Sequence, residues 1–200
     1  MSNSALKIVS ILAVSTLVVT LPNPLFNSQD TVRRGKNIKA LVVCPTRELA
    51  EQINESFKTY GKYTNLRTGV VYGGTAIEPQ IERLNKGVDI LIATPGRLLD
   101  LAKQNYARLG KVEILVLDEA DLLLDMGFIE DVNKINKLCA EHKQTLLFSA
   151  TMSDAVKSLA KRAINQPVEL TVSEDSTKKK NIKQWLVTID KTNKSALSSH

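Results

Sequence analysis

The sequence predicts an α/β fold built on a doubly wound, mostly parallel sheet, and three observations carry that reading. Short apolar runs such as Ala40–Cys44, Val88–Ala93 and Ile114–Leu117 alternate with longer segments whose apolar residues recur at helical spacing. Ile114–Leu117 is apolar at every position, which suits a strand covered on both faces. Several runs stop abruptly in a polar motif, as expected where parallel strands deliver their loops to one edge of a sheet.

Taken in order, the chain opens with Ile8–Leu21, an uncharged run that follows Lys7 and gives way to Pro22-Asn23-Pro24. The run is shorter than the ~20 residues that span a bilayer, and no small-x-small cleavage site follows it, so a secretory leader is the weaker reading. The stronger reading is that it stands in place of a helical segment folded into the sheet domain. Asn27–Lys36 follows as a polar, basic loop. Ala40–Cys44 is the first regular strand, and Thr46 is placed to cap a helix on which Leu49, Ile53 and Phe57 share a face. Val70–Tyr72 is a strand that ends at Gly73-Gly74, and a short helix over Ile77–Asn85 leads to the strand Val88–Ala93. Thr94-Pro95-Gly96-Arg97 ends that strand and opens a helix through Leu98, Leu99 and Leu101.

Ile114–Leu117 then runs into Asp118-Glu119-Ala120-Asp121, with a helix beginning near Ala120. Asp131–Glu141 is an amphipathic helix, and Gln144–Phe148 is a strand ended by Ser149-Ala150-Thr151. Ser153 caps a helix carrying Val156, Leu159 and Ala163. Val168–Val172 and Trp185–Ile189 are the last expected strands, separated by the basic run Lys178-Lys179-Lys180. The expected organisation is an atypical apolar segment with a basic loop over 1–37, a sheet domain over 38–175 and a basic linker over 176–200.

Two hundred residues with 43% apolar side chains suit one domain with an ordinary buried core. The formal charge of +6 favours a polyanionic partner without identifying one. Cys44 and Cys139 lie far apart with no CxxC spacing, and read as buried thiols in a reducing cytosol. Aromatic residues make up only 4%, so binding through an aromatic stacking surface is disfavoured against contacts to a phosphate backbone.

A buried strand ending in three carboxylates is a place for chemistry. Asp118 can hold Mg²⁺, directly or through water, and Glu119 can position or deprotonate a water molecule. The bland alternative is that Asp118 caps the helix beginning near Ala120. Arg47 and Arg97, the hydroxyls of Thr46 and Thr94, and the amides at Gly73, Gly74 and Gly96 offer phosphate and ribose contacts that hold a strand without reading its sequence. For a lone arginine, a solvated helix start is the commoner explanation; their place beside the other motifs favours function.

Asp118-Glu119-Ala120-Asp121 spells DEAD. With PTREL at Pro45–Leu49, GG at Gly73-Gly74, TPGR at Thr94–Arg97 and SAT at Ser149–Thr151, the chain resembles the DEAD-box ATP-dependent RNA helicase family from about Lys39 to its end. The resemblance implies a RecA-like fold of the P-loop NTPase type, ATP and Mg²⁺ as cofactors, RNA and ribonucleoproteins as partners without sequence specificity, no membrane and a cytoplasmic location. It implies that Asp118 and Glu119 serve Mg²⁺-ATP and the attacking water, with Asp118 holding the metal through water. Asp121 would then pair with Ser149, Ala150 and Thr151, the motif that couples nucleotide to RNA. Pro45, Thr46, Arg47, Gly73, Gly74, Gln80, Arg83, Thr94, Pro95, Gly96 and Arg97 would form the RNA-backbone track.

The departures are as informative. A phosphate cradle of the pattern GxxxxGK[ST] is missing: no glycine precedes Gly35, and the Gly-Lys pairs at Gly35, Gly61 and Gly110 continue into Asn37, Tyr63 and Val112. The adenine-reading glutamine motif of the family is missing too, and the chain stops at Lys194–His200, where the family starts its second RecA-like domain with the arginine finger. The expectation is a first helicase domain without its first strand and phosphate loop, inactive alone. A non-catalytic RNA- or partner-binding module is the alternative, and a nucleotide-binding domain of another superfamily is disfavoured by the four motifs together.

Overall fold

A computed structural model describes residues 37–64, 66–139, 144–164 and 167–170. The expected apolar segment over 8–21, the strand Trp185–Ile189 and the lysine run at 178–180 lie outside the described residues. The chain divides after Pro167, and residues 168–200 form a second unit.

Among the described residues, the first unit holds five parallel strands: β1 (Ala40–Val43), β2 (Thr68–Val71), β3 (Ile90–Ala93), β4 (Ile114–Leu117) and β5 (Gln144–Leu147). Their order across the sheet is β2-β3-β1-β4-β5. Six described helices connect and follow them: α1 (Arg47–Tyr60), α2 (Glu78–Lys86), α3 (Pro95–Lys103), α4 (Ala120–Asp125), α5 (Ile129–Leu138) and α6 (Asp154–Ala163). Every strand pairing is parallel, because a helix or helix pair intervenes between each strand and the next and returns the chain to the same starting edge.

Both faces of the sheet are covered, as the uninterrupted apolar runs require. Ala40, Val42, Ile90, Ile92, Ile114 and Val116 pack on one face against Leu49, Ile53 and Phe57 of α1. Leu41, Val43, Leu91, Leu115 and Leu117 face the other way, into a larger core with side chains of α2 to α6, among them Leu84, Leu98, Leu123, Ile135 and Leu159. β5 is the exception. At the edge of the sheet among the described residues, it leaves Gln144 exposed and Thr145, Leu146 and Leu147 only half-buried.

Local signals set the helix starts. Thr46 Oγ1 accepts a hydrogen bond from the Leu49 amide at 3.2 Å, and Ser153 Oγ accepts one from Val156 at 3.3 Å, so both expected caps form. The helix expected over Asp131–Glu141 instead starts two residues earlier, at Ile129, and its described part ends at Leu138. Val168–Leu170, the described part of another expected strand, is not a strand: no ladder takes these residues up, and β propensity without a neighbour does not make one.

Replacing the fully buried Leu115 by alanine is expected to destabilise the domain by about 2–5 kcal/mol, and Thr46→Ala by about 1 kcal/mol through loss of the cap. Thermal unfolding of the two variants checks both the magnitudes and their order.

Candidate functional site on the carboxyl rim of the sheet

The strands end level. Val71, Ala93, Val43, Leu117 and Leu147 are register partners from one side of the sheet to the other. The ladder continues one residue further, with Thr94 N donating to Val71 O, Cys44 N to Ala93 O, Asp118 N to Val43 O and Phe148 N to Leu117 O, at 2.9–3.1 Å. The polar segments that follow therefore stand side by side, in the order Gly73-Gly74, Thr94–Arg97, Pro45–Leu49, Asp118–Asp121 and Ser149–Thr151. Glycine and arginine segments occupy one half of the rim, and carboxylates and hydroxyls the other.

In the carboxylate half, Asp118 is fully buried and accepts the Glu119 amide at 3.0 Å. It is not the N-cap residue of α4. The N-cap position belongs to Glu119, whose backbone is left-handed at φ 50°, ψ 54° and whose side chain makes no capping bond. A non-glycine residue held there costs on the order of 1 kcal/mol or more, and such strain is characteristic of functional sites. Burial, then repulsion by Asp118 and by Asp121, pushes the Glu119 carboxyl up to about 7, so it exchanges a proton near neutral pH.

Asp121 joins this half to its neighbour. One oxygen, Oδ2, accepts from Thr151 N at 3.0 Å and Thr151 Oγ1 at 2.9 Å, while Oδ1 accepts from Leu122 N at 3.1 Å. In return the Asp121 amide donates to Ser149 Oγ at 3.2 Å, and that hydroxyl donates to Thr151 O at 2.7 Å. The segments after β4 and β5 are thus tied by bonds in both directions, around an exposed Ala150.

The other half is a scaffold with an exposed surface. Arg47 and Arg83 are exposed: Arg47 leans on Glu48 at 3.0 Å, and Arg83 Nη1 donates to Val70 O at 3.1 Å. Arg97 Nη2 donates to Thr75 O at 3.0 Å, while its Nη1 is buried without a hydrogen-bond partner. Gly73 and Gly74 are exposed, and a Cβ at either would meet nothing within 4 Å; Gly74, at φ 79°, has a conformational reason to be glycine and Gly73 has none inside the protein. Gly96 is exposed and equally open, and Thr46 and Thr94 are half-buried.

Pro45, Pro95 and Gln80 stand differently, for their side chains are inside. The Gln80 amide is used up on the turn: Oε1 accepts Tyr72 N at 3.1 Å, and Nε2 donates to Tyr72 O, Thr75 Oγ1 and Ala76 O at 3.0–3.2 Å. Gln80 shapes the rim instead of presenting a surface. Sequence reasoning missed Tyr72 and Glu51, which the fold bonds to each other at 2.6 Å. The signal available was weak: Tyr72 precedes the two glycines, and Glu51 lies one helical turn after Arg47.

The sequence matches the family model described as DEAD/DEAH box helicase over residues 12–159, so the match begins upstream of Lys39. The chain is 44% identical over 142 residues to the ATP-dependent RNA helicase RhlB of Pasteurella multocida, covering 70% of this chain and 34% of that protein. It is 41% identical over 157 residues to the DEAD-box ATP-dependent RNA helicase CshA of Streptococcus pneumoniae, covering 78% of this chain and 30% of that protein. The fold superposes on the crystal structure of a DEAD box protein from Methanococcus jannaschii with a TM-score of 0.66 and 38% identity, over 78% of this chain and 40% of the other. The chain spans about a third of the length of these curated relatives.

The Glu119 carboxyl gives a pH signature. Its folded value of about 7 lies above the ordinary 4.5, so the native state holds the proton more tightly than the unfolded chain. Its contribution to stability is fully present below the ordinary value and is lost as pH rises to about 7. Glu119→Gln removes this titration. Without magnesium or nucleotide, the melting temperature of the variant should gain on that of the wild type between pH 4.5 and 7 and keep a constant lead above; a lead that does not vary with pH would contradict the assignment.

Proposed function

The chain belongs to the DEAD/DEAH box helicase family, and we propose that it supplies part of the first RecA-like domain of an ATP-dependent RNA helicase, gripping RNA by its backbone and linking that grip to the carboxylate site. The observation that carries this reading is the level ending of the strands, which sets three exposed segments, each with an arginine or open glycines, beside one another. Arg47, Arg83 and Arg97 are the cations of that surface, and Gly73, Gly74 and Gly96 leave room for a phosphate or ribose to approach the backbone. Among the described residues, Arg47 is held only by an exposed pair with its sequence neighbour, a contact worth little that a phosphate can replace. Pro45, Pro95 and Gln80 serve by shaping the rim. Such a surface holds RNA without reading its bases. The two buried thiols suit the cytoplasmic location we propose.

The family implies Mg²⁺-ATP. Among the described residues no group of three or more His, Cys, Asp or Glu side chains can hold a metal by itself, which fits a magnesium ion that takes one or two carboxylates and completes its shell with phosphates and water. Asp118 and Glu119 are the residues that would face it, with Asp118 holding the metal through water. The phosphate end does not fit: the 200 residues contain no GxxxxGK[ST] loop, so the backbone nest and lysine that would hold the phosphates against three carboxylates are missing from this sequence. No hydrolytic step is assigned to this chain alone. Asp121, bonded to Ser149 and Thr151, is the proposed coupling residue, because a shift of the carboxylate loop would move the segment after β5 with it.

RNA binding tests the reading. Affinity for a single-stranded oligonucleotide should fall with rising salt, independently of base composition, and each of Arg47→Ala, Arg83→Ala and Arg97→Ala should reduce the log–log slope by about 0.7. Equal binding by the triple variant at low salt would dismiss the rim.

Steady-state ATPase of the chain alone, with saturating RNA, should stay at background. A stimulated rate abolished by Glu119→Gln would show that the phosphates are held by other means.

A further inference from the structure

We infer that Glu51 and Tyr72 are positioning residues that fix the exposed Gly73-Gly74 loop against the start of α1, an inference that rests on the RNA-binding reading above. Two adjacent glycines give a loop the shape a backbone ligand needs, but they also give it the most freedom to lose and no side chains with which to hold it. Something else must hold it. Tyr72, the residue immediately before the glycines, is fastened at both ends. Its backbone N and O are taken by the Gln80 amide of α2, and its hydroxyl donates to Glu51 Oε1 of α1 at 2.6 Å, a short hydrogen bond.

These bonds form a continuous path. It runs from Glu51 through Tyr72 to Gln80, from the Gln80 amide to Thr75 Oγ1 at 3.0 Å, and from Thr75 O to Arg97 Nη2 at 3.0 Å. Gln80 sets the shape of the turn relative to its own helix. The phenol–carboxylate bond ties that turn to the helix whose first residue is Arg47. A backbone ligand lying across both segments meets them at a fixed spacing only if this bond holds. The bond also raises the Tyr72 phenol above its ordinary value.

A carboxylate on a phosphate-binding rim would, by charge alone, oppose binding. For binding, therefore, the hydrogen bond of Glu51 should matter and its charge should not. The test uses the full 200-residue chain, a uridine oligonucleotide followed by fluorescence anisotropy, and amide exchange of residues 73–76 without RNA. Tyr72→Phe and Glu51→Ala should each weaken binding about two- to tenfold and speed exchange of the loop, and the double variant should be no weaker than either alone. Glu51→Gln keeps an acceptor for the phenol and should bind at least as tightly as the wild type, with wild-type exchange. Wild-type affinity and exchange in Tyr72→Phe would overturn the inference, as would a Glu51→Gln variant as weak as Glu51→Ala. A wild-type chain that binds no oligonucleotide would instead remove the RNA reading; accelerated exchange in Tyr72→Phe would then leave the brace standing by itself, and unchanged exchange would remove it as well.

Discussion

The register of the parallel ladder governs the molecule. Val71, Ala93, Val43, Leu117 and Leu147 are register partners, and each is followed within three residues by polar or glycine-rich chain. With apolar side chains on both faces, alternation does little to choose the register of β1, β3 and β4. The sharp boundary at the strand ends chooses it. A slip of one residue at β4 would pull Asp118 into the sheet or push Leu117 out onto the rim, and either costs several kcal/mol. The boundary that fixes the sheet is the same one that assembles the site.

Level strand ends also explain how two chemistries stay separate and yet communicate. The arginine and glycine segments follow β2, β3 and β1, while the carboxylates follow β4, between β1 and β5. Asp118 and Glu119 are set by the buried end of β4 and the left-handed turn after it, and the Glu119 side chain makes no capping bond to α4. Asp121, on the next turn, faces the segment after β5 and binds it through both backbone and side chain. Its neighbour Glu119 titrates near neutral pH because burial and two adjacent carboxylates crowd it. A change at the carboxylates is therefore adjacent to a bonded joint.

Much of this was legible in the residues. The apolar runs gave the strands, Thr46 and Ser153 announced their helices by side-chain chemistry, and the polar motifs marked the strand ends. What stayed hidden depends on order across the sheet and on burial. That β1 lies between β3 and β4 cannot be read from chain order, and it is what divides the rim into two halves. Gln80 reads as a contact residue, but β2 places the turn over it and consumes its amide. The N-cap position weighed for Asp118 falls on Glu119, whose backbone is left-handed, a choice no propensity announces. Glu51 and Tyr72 are 21 positions apart and meet only after β2 is laid beside β3.

The proposed path of RNA lies across the loops at the carboxyl ends of β2, β3 and β1. Hydrogen exchange measured across the whole chain, with and without a saturating single-stranded RNA, tests it without any substitution. Slower exchange in residues 45–49, 73–76 and 94–98 together, with the Tyr60–Tyr63 region at the far end of α1 unchanged, is the result the account requires. Protection confined to that far end, or absent from all three rim segments while RNA is bound, would contradict it.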